Sequence, residues 1–112
     1  MPSEVVLAVY RPKPGKEDAL KAQVAAHWPA LKQSGLVTDR EPILLQSKDG
    51  SWIEIFEWKD GGASAAAAHE HPIIGPLWNA MMENCDFIPP SALPECAQPF
   101  PHFKPVDDLC EG

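Results

Sequence analysis

From Glu4 to Arg11 the chain carries apolar side chains at nearly every step. In an extended segment Val5, Leu7 and Val9 point one way, and Val6, Ala8 and Tyr10 the other. A strand without a polar face is covered on both sides. Pro12, Pro14 and Gly15 break it. The period then changes. Between Lys16 and about Gln33, the residues Leu20, Val24, His27, Trp28 and Leu31 fall within about 100° of arc at helical spacing, the stripe of a helix lying on a sheet. Gly35 predicts its end. Pro29 lies inside the stripe, where its ring opposes the carbonyl of Ala25, and predicts a kink or a short second helix starting there.

Leu36 to Lys48 reads as a second strand, placed at a sheet edge by Pro42. Lys48-Asp49-Gly50-Ser51 predicts a hairpin, with Asp-Gly suited to a type I′ turn. The third strand, Ser51 to Lys59, sends Ile53 and Ile55 to one face and Trp52, Glu54, Phe56 and Trp58 to the other. Ala63 to Ala68 starts a helix that Pro72 resets. Ile73, Ile74, Leu77, Trp78, Met81, Met82 and Cys85 then spread over about 180° at helical spacing, wider than one sheet contact requires. Asp86 to Ile88 suits a short fourth strand. The segment from Pro89 to Pro105 holds six prolines, so it is expected to be irregular and pinned by Phe100 and Phe103.

The resulting order, β-α-β-β-α-β, predicts an α+β fold: a ferredoxin-like sheet ordered 4-1-3-2 with strands one and three central. Residues 1–88 form that domain, and 89–112 are a Pro-rich tail packed on it or on a partner. Helices cover only one face of such a sheet. The other face carries Val5, Leu7, Val9, Ile53 and Ile55, and face-to-face pairing of two chains into a dimeric α+β barrel would bury it. A homodimer is therefore expected.

Composition narrows the partners. A formal charge of −7, with nine basic residues scattered along the chain, gives no positive face for nucleic acid or an anionic membrane. No apolar run approaches the roughly 18 residues of a membrane span, and MPSEVVLAVYR lacks a basic leader, so the cytoplasm is the expected address. Cys85, Cys96 and Cys110 form no CxxC pair. They are expected to be reduced structural thiols, the alternatives being a disulfide within the tail or a reactive thiol.

Phe56-Glu57-Trp58-Lys59-Asp60, followed by Ala68-His69-x-His71-Pro72, resembles the antibiotic biosynthesis monooxygenase-like family of dimeric α+β barrels. The resemblance implies a homodimer with a pocket between each sheet and its own helices. Some members oxidise quinol-like aromatics by oxygen, with no metal or flavin, and many have no known activity. Glu54 stands where those oxygenases carry an Asn. A heme-degrading branch of the superfamily needs an Asn on the first strand, where this chain has only Val, Leu, Ala and Tyr, and a His further along the second helix, where Leu77-Trp78 stand.

Each candidate residue has a chemical and a structural reading. His69 and His71 suit a base–acid pair; alternatively His69 caps helix-end carbonyls and His71 packs as a polar lid. Spaced i, i+2 and lacking a third ligand, they predict no metal site, and no cofactor is expected. Glu54 among aromatics suits a general base; the alternative is an ion pair across the dimer or with Arg11 or Arg40. His27, on an apolar stripe, is expected to be a hydrogen-bonded core histidine. Trp58, Phe56, Tyr10, Trp78 and Met82 would line a pocket, or simply fill the core. The function expected is binding of a planar apolar or phenolic molecule, with cofactor-independent oxidation as its extension. In that extension His69 or His71 exchanges a proton with a substrate hydroxyl, and Glu54 orients the histidine or acts as base. The alternative is a non-catalytic ligand-binding or stress-related dimeric module.

Overall fold

A computed structural model describes residues 2–107. Strand β1 (Glu4–Pro12) leads into helix α1 (Glu17–Gln33), followed by β2 (Ile43–Gln46) and β3 (Trp52–Trp58). Helices α2 (Gly62–Glu70) and α3 (Ile74–Asn84) come next, then β4 (Cys85–Ile88), two 3-10 turns at Pro90–Ala92 and Pro94–Ala97, and β5 (Lys104–Pro105). All strand pairs are antiparallel, and the sheet order is β4-β1-β3-β2-β5. The two strands with apolar side chains on both faces, β1 and β3, thus stand at the centre. No helix among the described residues is long and apolar enough to cross a membrane.

Local chemistry sets the element ends. Gly35, at φ 74°, closes α1: its N–H donates to Lys32 C=O and Leu36 N–H donates to Leu31 C=O. These two bonds are those of a Schellman motif, and Leu36 packs in the same cluster as Leu31. Helix α1 runs through Pro29 unbroken, so no second helix starts there. Pro72 does separate α2 from α3, and His71 before it is extended at φ −68°, ψ 135°. The two helix ends then pack so closely that a Cβ on Gly75 would lie 2.7 Å from the His69 carbonyl oxygen.

Four expectations need correction. The second strand is only four residues long, and Leu36–Pro42 contributes no more than a single bridge from Val37 to Trp58. Pro42 lies outside β2, and β2 is covered by β5 rather than forming the edge. The hairpin turn is not type I′. Gly50 N–H donates to Ser47 C=O, which centres the turn on Lys48 and Asp49, and only Gly50 has positive φ (90°). Asp49 Oδ1 accepts from Ser51 N–H instead, which holds Asp49 out of the left-handed region. Finally, Phe100 is 84% exposed and anchors nothing, whereas Phe103 does pack on the sheet.

The tail is the larger surprise. One face of the sheet holds Tyr10, Ala8 and Val6 of β1 opposite Trp52, Glu54 and Phe56 of β3, and it receives the helices. On the other face, the row Leu45–Ile53–Val9–Ile88 runs across four strands. Leu93, Cys96 and Phe103 of the tail lie on that row, leaving Val9 and Ile53 buried. Glu95 fastens the tail by accepting from Ser47 Oγ at 2.7 Å and Lys48 N–H at 2.8 Å. The chain therefore covers half of its outer face by itself. The next row, Leu7–Ile55–Ile43, stays open: Leu7 is 44% and Ile43 55% exposed, and neighbouring Val5 is 60% exposed.

Candidate functional site

Ala8 is the smallest side chain on the helix-facing side of β1, and it lies directly opposite Glu54. The space it leaves opens into a cavity of about 300 Å³ between the sheet and the helices. Its walls are aromatic and aliphatic: Phe56 and Trp58 from β3, Tyr10 from β1, Trp78 and Met81 from α3, and Phe87 from β4. The rings meet edge-on, with centroids 5.0 Å apart for Phe56–Trp58 and 6.3 Å for Trp58–Trp78, the arrangement their quadrupoles favour. Four of the five expected lining residues, Trp58, Phe56, Tyr10 and Trp78, take that place. Met82 does not. It is 48% exposed and turned outward, and Met81, one residue earlier and fully buried, lines the cavity instead.

Behind this wall lies a chain of polar groups. Trp78 Nε1–H donates to His27 Nε2 at 2.8 Å. His27 Nδ1 lies 2.6 Å from Glu54 Oε1, and Tyr10 O–H donates to the same oxygen at 2.7 Å. The indole is a donor only, so Nε2 must be unprotonated, and the single proton of the neutral imidazole sits on Nδ1. His27 therefore donates to Glu54. Both partners are sealed from solvent, and Glu54 Oε2 has no hydrogen-bond partner among the described residues. Burial, reinforced by the Glu54 charge, pushes the Tyr10 hydroxyl well above the usual tyrosine range, so Tyr10 remains a donor at neutral pH.

Glu54 is thus buried among aromatics as expected, yet it pairs with neither Arg11 nor Arg40. Arg11 donates to Asp49, and Arg40 to Glu57. Glu54 also lies behind the lining, so it reaches the cavity only through Tyr10 and His27. Of the histidine pair, His69 reaches the cavity, its ring edge-on to Trp78 at 4.8 Å. His71 does not. Its extended backbone turns the ring under α3, where Nδ1 accepts from Ile73 N–H at 3.1 Å and Ile74 N–H at 3.4 Å. It closes the end of α2 and accepts from backbone N–H groups at the start of α3, and is no partner of His69.

His27 is the site residue that sequence reasoning placed in the core alone. Its signal was present: a titratable group on the apolar stripe of α1, facing a strand whose own apolar side carries Glu54. Two polar misfits on facing apolar surfaces are a pair in waiting. Cys85 lies nearby but takes no part, because burial and then Asp86 push its thiol up to about 11. Cys85 and Cys96 are free thiols, and Cys110 lies outside the described residues. Comparison of the chain with family models, with curated proteins and with solved structures finds no match in any of the three.

Proposed function

We propose that this protein binds a planar apolar or phenolic molecule in the cavity between its sheet and its helices. The observation that carries the reading is the His27–Glu54 pair, buried in the wall of an apolar, aromatic-lined space with one carboxylate oxygen unsatisfied. Structure alone gives little reason to bury such a group, since a buried carboxylate with one oxygen left unpaired opposes folding. Its worth lies in what it does to His27: it fixes the tautomer and would stabilise an imidazolium at that position. A ligand hydroxyl could then give its proton to His27 Nε2, leaving an electron-rich anion in an apolar space. That is the activation an oxygenase without metal or flavin requires.

The experiment is calorimetric titration with 2-naphthol, using Ala8→Leu as the control that fills the cavity. Binding to the wild type and its loss in Ala8→Leu support the reading; equal behaviour of the two proteins overturns it. Oxygen uptake above a protein-free control, absent in His27→Gln, extends the reading to a cofactor-independent oxygenase. No uptake leaves a non-catalytic binding protein.

The same reading takes the fold as ferredoxin-like and the assembly as a homodimer. The open row Leu7–Ile55–Ile43, with Val5 beside it, is apolar. Glu57, paired with Val5 across the strands, is satisfied within the chain by Ser3, Thr38 and Arg40. Such a strip presents little for a charged partner to match, and a second copy offers an identical apolar strip. Sedimentation velocity at micromolar concentration tests this, and a monomer there would sink the homodimer without touching the cavity.

A further inference from the structure

The cavity already contains a hydrogen bond of the kind that a ligand would make. Trp78 Nε1–H donates to His27 Nε2 at 2.8 Å, and both side chains belong to the lining. The His27 acceptor is therefore occupied by the protein's own donor. Trp78 is held more loosely than His27: it packs on both helix-side clusters and edge-on to Trp58, yet it is only partly buried and its outer neighbour His69 is exposed. His27, by contrast, is 2% exposed and tied at Nδ1 to Glu54.

We infer that the Trp78 indole stands in for the ligand's hydroxyl. An aromatic O–H donor enters, takes the place of the indole N–H at His27 Nε2, and Trp78 swings toward solvent while still stacking on the occupant. This rests on the cavity being a binding site, and it adds the chemical class: a planar aromatic bearing a free hydroxyl. Three features favour the exchange. A phenolic O–H is a much more acidic donor than an indole N–H, and so makes the stronger bond to an imidazole nitrogen. The displaced indole recovers its hydrogen bond from water. The Glu54 carboxylate strengthens the acceptor from behind, because it polarises the Nδ1–H bond. An aromatic ether of the same size makes only apolar contacts and leaves Trp78 where it is.

The test compares 2-naphthol with 2-methoxynaphthalene by calorimetry, while the indole N–H signals are followed by NMR in ¹⁵N-tryptophan-labelled protein. The expected result is binding of 2-naphthol about tenfold tighter than the ether, the scale of one net hydrogen bond. With it, the most downfield indole signal should move upfield for the naphthol alone. Trp78→Phe removes the competing donor and changes the apolar wall for both ligands alike, so the naphthol-to-ether affinity ratio should rise several-fold. Equal affinities for the two ligands, or an indole signal unmoved by bound naphthol, overturn the exchange and leave the cavity reading intact. Binding of neither ligand overturns both. The affinity ratio and the indole shift are read on the wild-type chain, so they hold even if the variant folds poorly.

Discussion

His27 and Glu54 meet at 2.6 Å from opposite layers of the molecule, one on the apolar stripe of α1 and the other on the central strand β3. They lie between the two clusters that make up the helix-side core, one around Tyr10, Leu20 and Met81, the other around Leu31, Phe56 and Ile74. The pair thus occupies a place where an ordinary small domain puts two aliphatic side chains.

That placement separates a structural role from a functional one. Removing one partner, as in Glu54→Ala, should destabilise the fold by about 1–3 kcal/mol for each donor left unsatisfied, because His27 and Tyr10 lose their acceptor in a dry interior. Removing His27, Glu54 and Tyr10 together should not. The triple variant His27→Leu, Glu54→Met, Tyr10→Phe leaves only the part-buried Trp78 indole without its acceptor and is expected to come close to the wild type, because replacing both ends of a buried hydrogen bond by apolar groups is nearly neutral or stabilising. It should bind no 2-naphthol hydrogen-bonded at this position. Urea unfolding of the variants checks both halves. A triple variant as weak as Glu54→Ala would show that the pair serves stability.

Tyr10 offers a cleaner reporter, since the chain contains one tyrosine. Its hydroxyl is held above the ordinary tyrosine value first by burial and then by the Glu54 charge. A raised value means the folded state grips this proton more tightly than the unfolded state does. The associated stability is complete below the ordinary value of 10.0 and is lost as pH rises through the folded value. Tyrosinate absorbance near 295 nm should therefore stay absent well past pH 10 and appear together with loss of the folded circular dichroism signal. Titration with a midpoint near pH 10 in folded protein would contradict the buried Tyr10–Glu54 bond.

Much of this architecture could be read from the chain, and the residues that resisted share physical reasons. The central strands were legible because Val5–Tyr10 and Trp52–Trp58 are apolar on both faces, a pattern that depends only on period. The break at Pro72 was legible because proline acts locally. The His27–Glu54 contact was not, because it depends on how far α1 rotates over the sheet and on the small size of Ala8 opposite Glu54. Met81 and Met82 were ambiguous for a related reason: about 100° of helix rotation separates them, and the wide stripe of α3 admits either. The tail was the least legible part. Prolines erase periodicity, so nothing marked Leu93, set between Ala92 and Pro94, as a residue that would be 2% exposed under the sheet.

Leu93 and Glu95 give the tail two separable roles. Leu93→Ala should cost about 2–5 kcal/mol, because the side chain fills the space over Val9 and Ile53. Glu95→Gln should instead loosen the tail locally, seen as faster hydrogen exchange at Lys48 and Ser91–Ala97 with little change in β1 or β3. The Glu95 carboxyl is held below its usual range first by the Lys48 N–H and then by the Ser47 hydroxyl. A lowered value places its stabilisation above the ordinary 4.5, and it is lost as pH falls through the folded value. Acid should accordingly free the tail of the wild type, while Glu95→Gln loses this part of the pH dependence. A tail equally protected in both proteins at neutral pH would refute the pin.

The uncovered half of the outer face carries the last expectation. Leu7 is 44% exposed on a central strand, at the end of the row that runs from Ile43 through Ile55. A lysine there can extend its head to water, so Leu7→Lys should leave the unfolding midpoint of a dilute protomer nearly unchanged. In a face-to-face pair, the two lysines would be brought together in an apolar seam without counter-charges, and burying them would cost several kcal/mol. The variant should therefore sediment as a monomer at concentrations where the wild type is dimeric, and the wild type's midpoint should rise with concentration while the variant's stays fixed. Leu7 also borders the cavity, so 2-naphthol affinity is tested with Ile43→Lys, at the far end of the same row and outside the lining, where binding should survive. Loss of binding along with the dimer would mean that the partner chain helps to shape the site.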